Sequence, residues 1–277
     1  MSLKTEAAGC IFLPSLIAEY GLEGYYSDSR TVGADGNIYL FFKEDGIRTK
    51  HDRSLLYSYA AVRLFPDWYG GDVASELLPL GEYRDRLSGI HPIAGRLLLL
   101  GRDDKNAIGI ILDERLKEQS RISFGISYFD KALITAGGRI CLGEIEENCF
   151  SPAPVSIFDE YGNRERIERF SHWDVTALNI DENGDIWYYA YPDNGFFSTG
   201  GEGLKYDGAV YNFAVLPGRR GIIADTGGSF RLLRFNGQSE EAVFTYGGRE
   251  IAHGLCSFRE NRGVILCDDE LYFFCIN

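Results

Sequence analysis

Asn183-Gly184 is the feature that most constrains this chain. It stands between Val175–Ile180, where residues of two characters alternate, and Ile186–Tyr191, rich in aromatic and branched residues. Asn-Gly tolerates the positive φ angles of a two-residue hairpin turn more cheaply than other pairs, so the segment reads strand, tight turn, strand. Looser copies recur at Gly36 before IYLFF, Gly95 before RLLLL, Gly138 before RICLG, Gly221 before IIAD and Gly263 before VILC. Together with Gly184 they lie 37 to 59 residues apart, with a mean near 45. A strand-rich repeat of that length is the signature of propeller blades, and the stretches between copies lack the 3.6-residue stripes a helical solenoid would need.

Further strands fill the gaps, at Ala107–Asp113, Val155–Asp159, Arg164–Phe170, Ala209–Phe213, Phe230–Phe235 and Ala242–Tyr246, so each unit reads as four antiparallel strands. The expected fold is all-β: a six-bladed β-propeller occupying residues 1–277 as one domain, five and seven being the neighbouring counts. The last unit, from His253, supplies only three strands, and Ile11–Ala18 is expected to complete it, closing the ring at an edge that would otherwise be unpaired. The first unit carries an insertion, 60–89, with a short helix expected at Asp72–Leu77 capped by Asp72.

The run VTALNIDENGDIWYYAY followed by GLKYDGAVYNF resembles the repeat of regulatory-type propellers, whose pattern is an apolar strand, Asp-x-x-Gly, apolar-Trp, then Gly-Leu-x-x-Tyr-Asp. SIFDEYGNRERIERF is similar to the outer half of an NHL-type blade. The likeness spans about one and a half blades, and only Trp187 stands at the Trp position. It implies the propeller fold and no particular activity, because such repeats define a scaffold.

Composition narrows the function. The formal charge of −13 argues against nucleic acid and anionic membrane surfaces as partners. No stretch reaches the roughly 18–20 apolar residues of a membrane span. The N-terminus lacks the order of a signal peptide, so a cytoplasmic protein is expected, with a periplasmic or secreted one if a leader has been removed. Six cysteines show no C-x-x-C spacing. They read as small buried thiols, the alternative being a disulfide among Cys256, Cys267 and Cys275.

A propeller exposes two kinds of loop at one mouth of its channel: second strand to third, and outer strand to the next inner strand. The former contain Glu44-Asp45, Asp103-Asp104, Glu146-Glu147, Asp193, Asp225 and Asp268-Asp269. His51 lies in one of them, and His91, His172 and His253 are placed just before inner strands. An acidic, partly aromatic mouth is therefore expected, with His172, Trp173, Asp174, Asp225, His253 and His91 as candidate ligand-binding residues and Asp174, Asp225 and Asp268 as candidate metal ligands. Carboxylates and imidazoles are ordinary ligands of divalent cations.

No nucleophile elbow, Walker loop or H-E-x-x-H occurs, and the Gly-rich stretches do not lead into helices. The reading that follows is a non-catalytic propeller binding a small molecule or protein at an acidic mouth. The alternative is a metal-dependent hydrolase or lyase holding an axial divalent cation, and a third is a sensory domain of a larger assembly.

Overall fold

A computed structural model describes residues 3–44, 47–48, 55–144, 155–168, 174–191 and 194–276. Six sheets form a ring. Blade 1 comprises Tyr26–Val32, Ile38–Lys43, Leu55–Pro66 and Val73–Tyr83; blade 2 comprises Arg86–Ile93, Arg96–Arg102, Ala107–Leu112 and Glu118–Ser123. Blade 3 comprises Lys131–Ile134, Ile140–Gly143, Val155–Phe158 and Arg164–Glu168, and blade 4 Asp174–Ile180, Ile186–Tyr191, Gly195–Ser198 and Gly203–Lys205. Blade 5 comprises Asn212–Val215, Ile222–Asp225, Phe230–Leu233 and Ser239–Tyr246. Blade 6 takes Leu255–Arg259, Arg262–Cys267 and Glu270–Cys275 from the C-terminal region and Gly9–Phe12 from the N-terminal region.

The turns repeat one device. The carboxylates of Asp113, Asp159 and Asp181 accept backbone N–H groups two and four residues on. Gly184 closes the third of these at φ 85°, a conformation side chains resist. Asp181 also accepts the indole N–H of Trp187 at 3.1 Å, which ties the turn to a fully buried ring. Apolar residues from facing sheets form six buried clusters among the described residues, one at each seam between adjacent blades. Each large side chain buried there contributes about 1.5–3 kcal/mol, so the seams hold the ring together.

The expected closure is present, with different bounds. Gly9–Phe12 pairs antiparallel with Glu270–Cys275, whereas Leu13–Tyr20 is a helix. Pro14 suits a first helical turn, Leu13 and Leu16 are buried at the seam of blades 6 and 1, and Gly21 ends the helix at φ 67°. A second clasp was not foreseen: Leu3–Glu6 adds to the outer edge of blade 5, parallel to Ser239–Tyr246. The chain passes from one clasp to the other through Ala7 and Ala8, whose amides donate to Thr245 O and Phe273 O. Gly9 is required at this step, because a Cβ there would lie 2.4 Å from the Phe273 ring.

The insertion in blade 1 is not helical. Val73–Tyr83 pairs along Leu55–Pro66 as the outer strand, its alternation burying Leu78 and Leu80. Trp68 at the hairpin tip packs edge-on to Phe273 and donates to Gly36 O, so that part of the insertion braces the scaffold. The strand expected at Ala209–Phe213 is also absent: Phe213 belongs to the inner strand of blade 5, and Tyr206–Tyr211 form the connection into it. No helix among the described residues is long and apolar enough to cross a membrane.

Candidate functional site

The registers orient the channel. Tyr26 lies opposite Lys43, Arg86 opposite Arg102, Lys131 opposite Gly143, Asp174 opposite Tyr191, Asn212 opposite Asp225 and Leu255 opposite Leu266. These pairs mark the mouth, since every inner strand runs away from it. The inner strands end at the far side, where Val32, Ile93, Ile134 and Arg259 lie.

A cavity of about 490 Å³ opens inside the ring, lined mainly by blades 1, 2, 3 and 6. Among the described residues its wall carries Arg30, Lys43, Arg86, Arg102, Lys131 and Arg259, against one carboxylate, Asp130. Among the described residues the cavity wall is therefore mainly basic, within a chain of net charge −13. Asp130 pairs with Lys131 at 3.1 Å, Arg102 lies over the Tyr128 ring and Lys43 over Tyr57. Of the acids expected at the mouth, Asp103 is occupied with its own turn, accepting the amides of Lys105 and Asn106 at 2.7 Å. Asp45, Glu146, Glu147 and Asp193 lie outside the described residues, as does His51.

Arg259 forms the floor. Only 6% of it is exposed, and its Nη1 donates to Ile134 O at 2.8 Å. Blades 6 and 3 are opposite in a ring of six, so this guanidinium reaches across the axis. Neither Arg259 nor Arg30 forms an ion pair with a carboxylate among the described residues, and burial pushes both guanidinium pKa values down. His91 is 7% exposed and makes no hydrogen bond among the described residues. Burial, with Arg259 nearby, pushes its pKa down to about 4, so the ring is neutral at pH 7. Its position differs from the expected one: His91 stands in the sixth position of the inner strand Arg86–Ile93, toward the floor. The Ser29 hydroxyl, also in the wall, is buried with no hydrogen-bond partner among the described residues.

On the other side of the channel polar groups are satisfied by neighbouring strands. Asn179 donates to Phe213 O and accepts the amides of Ile180 and Glu260. Asn212 Nδ2 donates to Cys256 O. At the mouth, Asp225 accepts the Cys256 thiol at 3.0 Å and lies 2.7 Å from His253 Nε2. Burial, and then the Asp225 carboxylate, push the Cys256 thiol pKa well up, so this sulfur is held protonated rather than as a nucleophilic thiolate. Exposed Tyr191, Tyr211 and Leu255 stand at the mouth ends of blades 4 to 6.

Of the sequence candidates, Asp225 and His253 are brought together. Asp174 starts the inner strand of blade 4 at the same mouth, and Asp268 occupies the second-to-third turn of blade 6 with φ 51°. His172 and Trp173 lie outside the described residues. Among the described residues no group of three or more His, Cys, Asp or Glu side chains is arranged to hold a metal ion. The Asp225 carboxylate is engaged by an imidazole and a thiol. The cations were missed because they are scattered over the whole chain. Their signal was a basic residue on four of the six inner strands, SDSRTV, RLSGIH, KALI and LCSFR.

No protein-family model matches the chain, and no curated protein matches it. Solved structures do. The virginiamycin B lyase of Staphylococcus aureus is similar over 91% of this chain and 95% of its own, at 12% identity and a TM-score of 0.51. The Cps50 (Swd1) β-propeller domain of Myceliophteria thermophila is similar over 91% and 97%, at 11% identity and a TM-score of 0.52. At these identities the likeness is one of fold, the β-propeller.

Proposed function

We propose that residues 1–277 form a single non-catalytic, cytoplasmic ligand-binding propeller domain whose channel takes a small anionic molecule. The observation that carries this reading is the placement of half-buried Arg30 and buried Arg259 in one cavity wall, neither of them in an ion pair with a carboxylate among the described residues. A buried cation with no counter-charge costs several kcal/mol, and an anion entering the channel would offset that cost. The cavity is about 490 Å³, within the usual range for small-molecule sites. A non-catalytic role is supported by Cys256 and His253, which both engage Asp225 instead of forming a nucleophile and base. The cytoplasmic assignment is supported by the free thiols of Cys10, Cys141, Cys256, Cys267 and Cys275, which also replace the disulfide alternative.

Thermal melting in low salt tests the function. Carboxylate, phosphate and sulfate ligands should raise the melting temperature, whereas matched amines and divalent cations should not. Stabilisation by a divalent cation alone, with no response to any anion, would refute the proposal and favour the metal-dependent alternative.

A further inference from the structure

The cations in the cavity wall fall into two groups at different depths. Lys43, Arg86 and Arg102 stand at strand ends on the mouth side, and Lys131 opens the inner strand of blade 3 at the same level. Arg30 is the fifth residue of its inner strand and Arg259 the last of its own. From the mouth end of blade 6, Leu255, to Arg259 is four residues, about 13 Å along a strand at about 3.3 Å per residue. Among the described residues the wall between the two levels is uncharged: it includes Leu87, Leu100, Ala132 and Leu133, with the Ser29 hydroxyl as a neutral polar group, and His91 lies at the depth of Arg259. Among the described residues Ser29 Oγ is buried without a partner in the waist, and His91 is more than nine-tenths buried with an unbonded ring at the floor, so both levels hold hydrogen-bonding capacity that the described residues do not use.

We propose that the ligand is an elongated dianion, one anionic group held at the floor by Arg30 and Arg259 and the other at the rim by Lys43, Arg86, Arg102 and Lys131, with an uncharged linker through the waist. The inference rests on the anion-binding reading above and adds the shape and charge of the ligand. A single anionic group neutralises one level and leaves the other uncompensated. Among the described residues Asp130 alone offsets the four rim cations, and at the floor no carboxylate forms an ion pair with either arginine. Two charges on one molecule reach both levels, and the second binds as an intramolecular event at high effective concentration. A linker that is too short cannot span the levels, and one that is too long must fold, so affinity has an optimum in length. Carboxylate and phosphate groups share the required chemistry.

Calorimetry on the full chain at low ionic strength tests this. The probes are α,ω-dicarboxylates of increasing chain length, the matched monocarboxylates, and an α,ω-diphosphate series to separate the two head groups. The expected result is at least tenfold tighter binding of one dianion than of its monoanion, with a maximum at one linker length. The double variant Arg86→Gln, Lys131→Gln alters rim side chains without touching the seams, and should reduce the dianion-to-monoanion affinity ratio at least fivefold. Equal affinity for monoanions and dianions, or affinity independent of linker length, overturns the inference and leaves anion binding standing. Failure of every anion to bind overturns both readings.

Discussion

Replacing Arg259 by methionine separates a structural arginine from one kept for a ligand. The side chain is 94% buried, and its hydrogen bond runs to the Ile134 carbonyl. Losing a hydrogen bond from a charged donor costs about 1.5–3 kcal/mol. Removing a buried cation that forms no ion pair among the described residues, and that Glu260 and Asp35 attract only at longer range, returns part of its desolvation cost, and methionine refills much of the volume. The two nearly cancel, so unliganded Arg259→Met should lie within about 2 kcal/mol of the parent, or above it. Truncating one member of a true buried ion pair would instead cost about 3–5 kcal/mol. In a chain of this size 1 kcal/mol corresponds to roughly 2–4 °C in melting temperature. The ligand response should change more. An anion at a hundred times its Kd stabilises the parent by about 2.7 kcal/mol, and a hundredfold weaker Kd reduces this to about 0.4 kcal/mol. Scanning calorimetry with and without a saturating anion measures both quantities. A fall of more than about 10 °C without ligand, with the anion-induced shift intact, would refute the assignment of Arg259 to the ligand.

His91 gives a pH signature. Its folded-state pKa near 4 lies below the unfolded value of 6.5, so the stability it contributes is complete above pH 6.5 and is lost as pH falls toward 4. The loss should be on the order of 3 kcal/mol, read as the difference between parent and His91→Asn urea titrations at pH 7 and pH 4.5. Deleting residues 1–12 removes both clasps and exposes two sheet edges, so the melting temperature should drop by more than about 10 °C and gel filtration should show self-association. Trp187→Phe leaves the 4%-exposed Asp181 without its indole donor, and denaturant unfolding should record a loss of about 1–3 kcal/mol.

The ring was legible in the sequence because its signals are local. Asp-x-x-Gly turns, Asn183-Gly184 and apolar runs of strand length each act within a few residues. The three-stranded last unit announced its missing partner in the same way. The errors came where tertiary contacts override local pattern. Asp72–Leu77 carries a plausible cap, yet Leu55–Pro66 presents an open edge that Val73–Tyr83 pairs along. Ile11–Ala18 is apolar enough for a strand, but Pro14 and the seam that takes Leu13 and Leu16 turn most of it into a helix. The site was less legible, because its sign depends on which residues of each inner strand face the axis. Loop acids such as Asp103 spend their charge on their own turns, while Arg30 and Arg259, separated by most of the chain, meet in one cavity. Asp225 and His253 could be read as mouth residues from position alone. The thiol of Cys256 between them and the channel wall could not.

The double clasp also sets the order of events during synthesis. Thr5 and Thr245, joined where the first clasp meets blade 5, are 240 residues apart. At roughly 5–20 residues per second, the leading segment waits on the order of 10–50 s before its partner strand leaves the ribosome. Throughout that interval Leu3–Glu6 and Gly9–Phe12 have nothing to pair with, and blades 1 to 4 must form without them. Their charged Lys4 and Glu6 and their Gly9 discourage premature association with other edges. The ring therefore becomes one cooperative body only when Leu3–Phe12 docks on strands that follow it by about 240 residues.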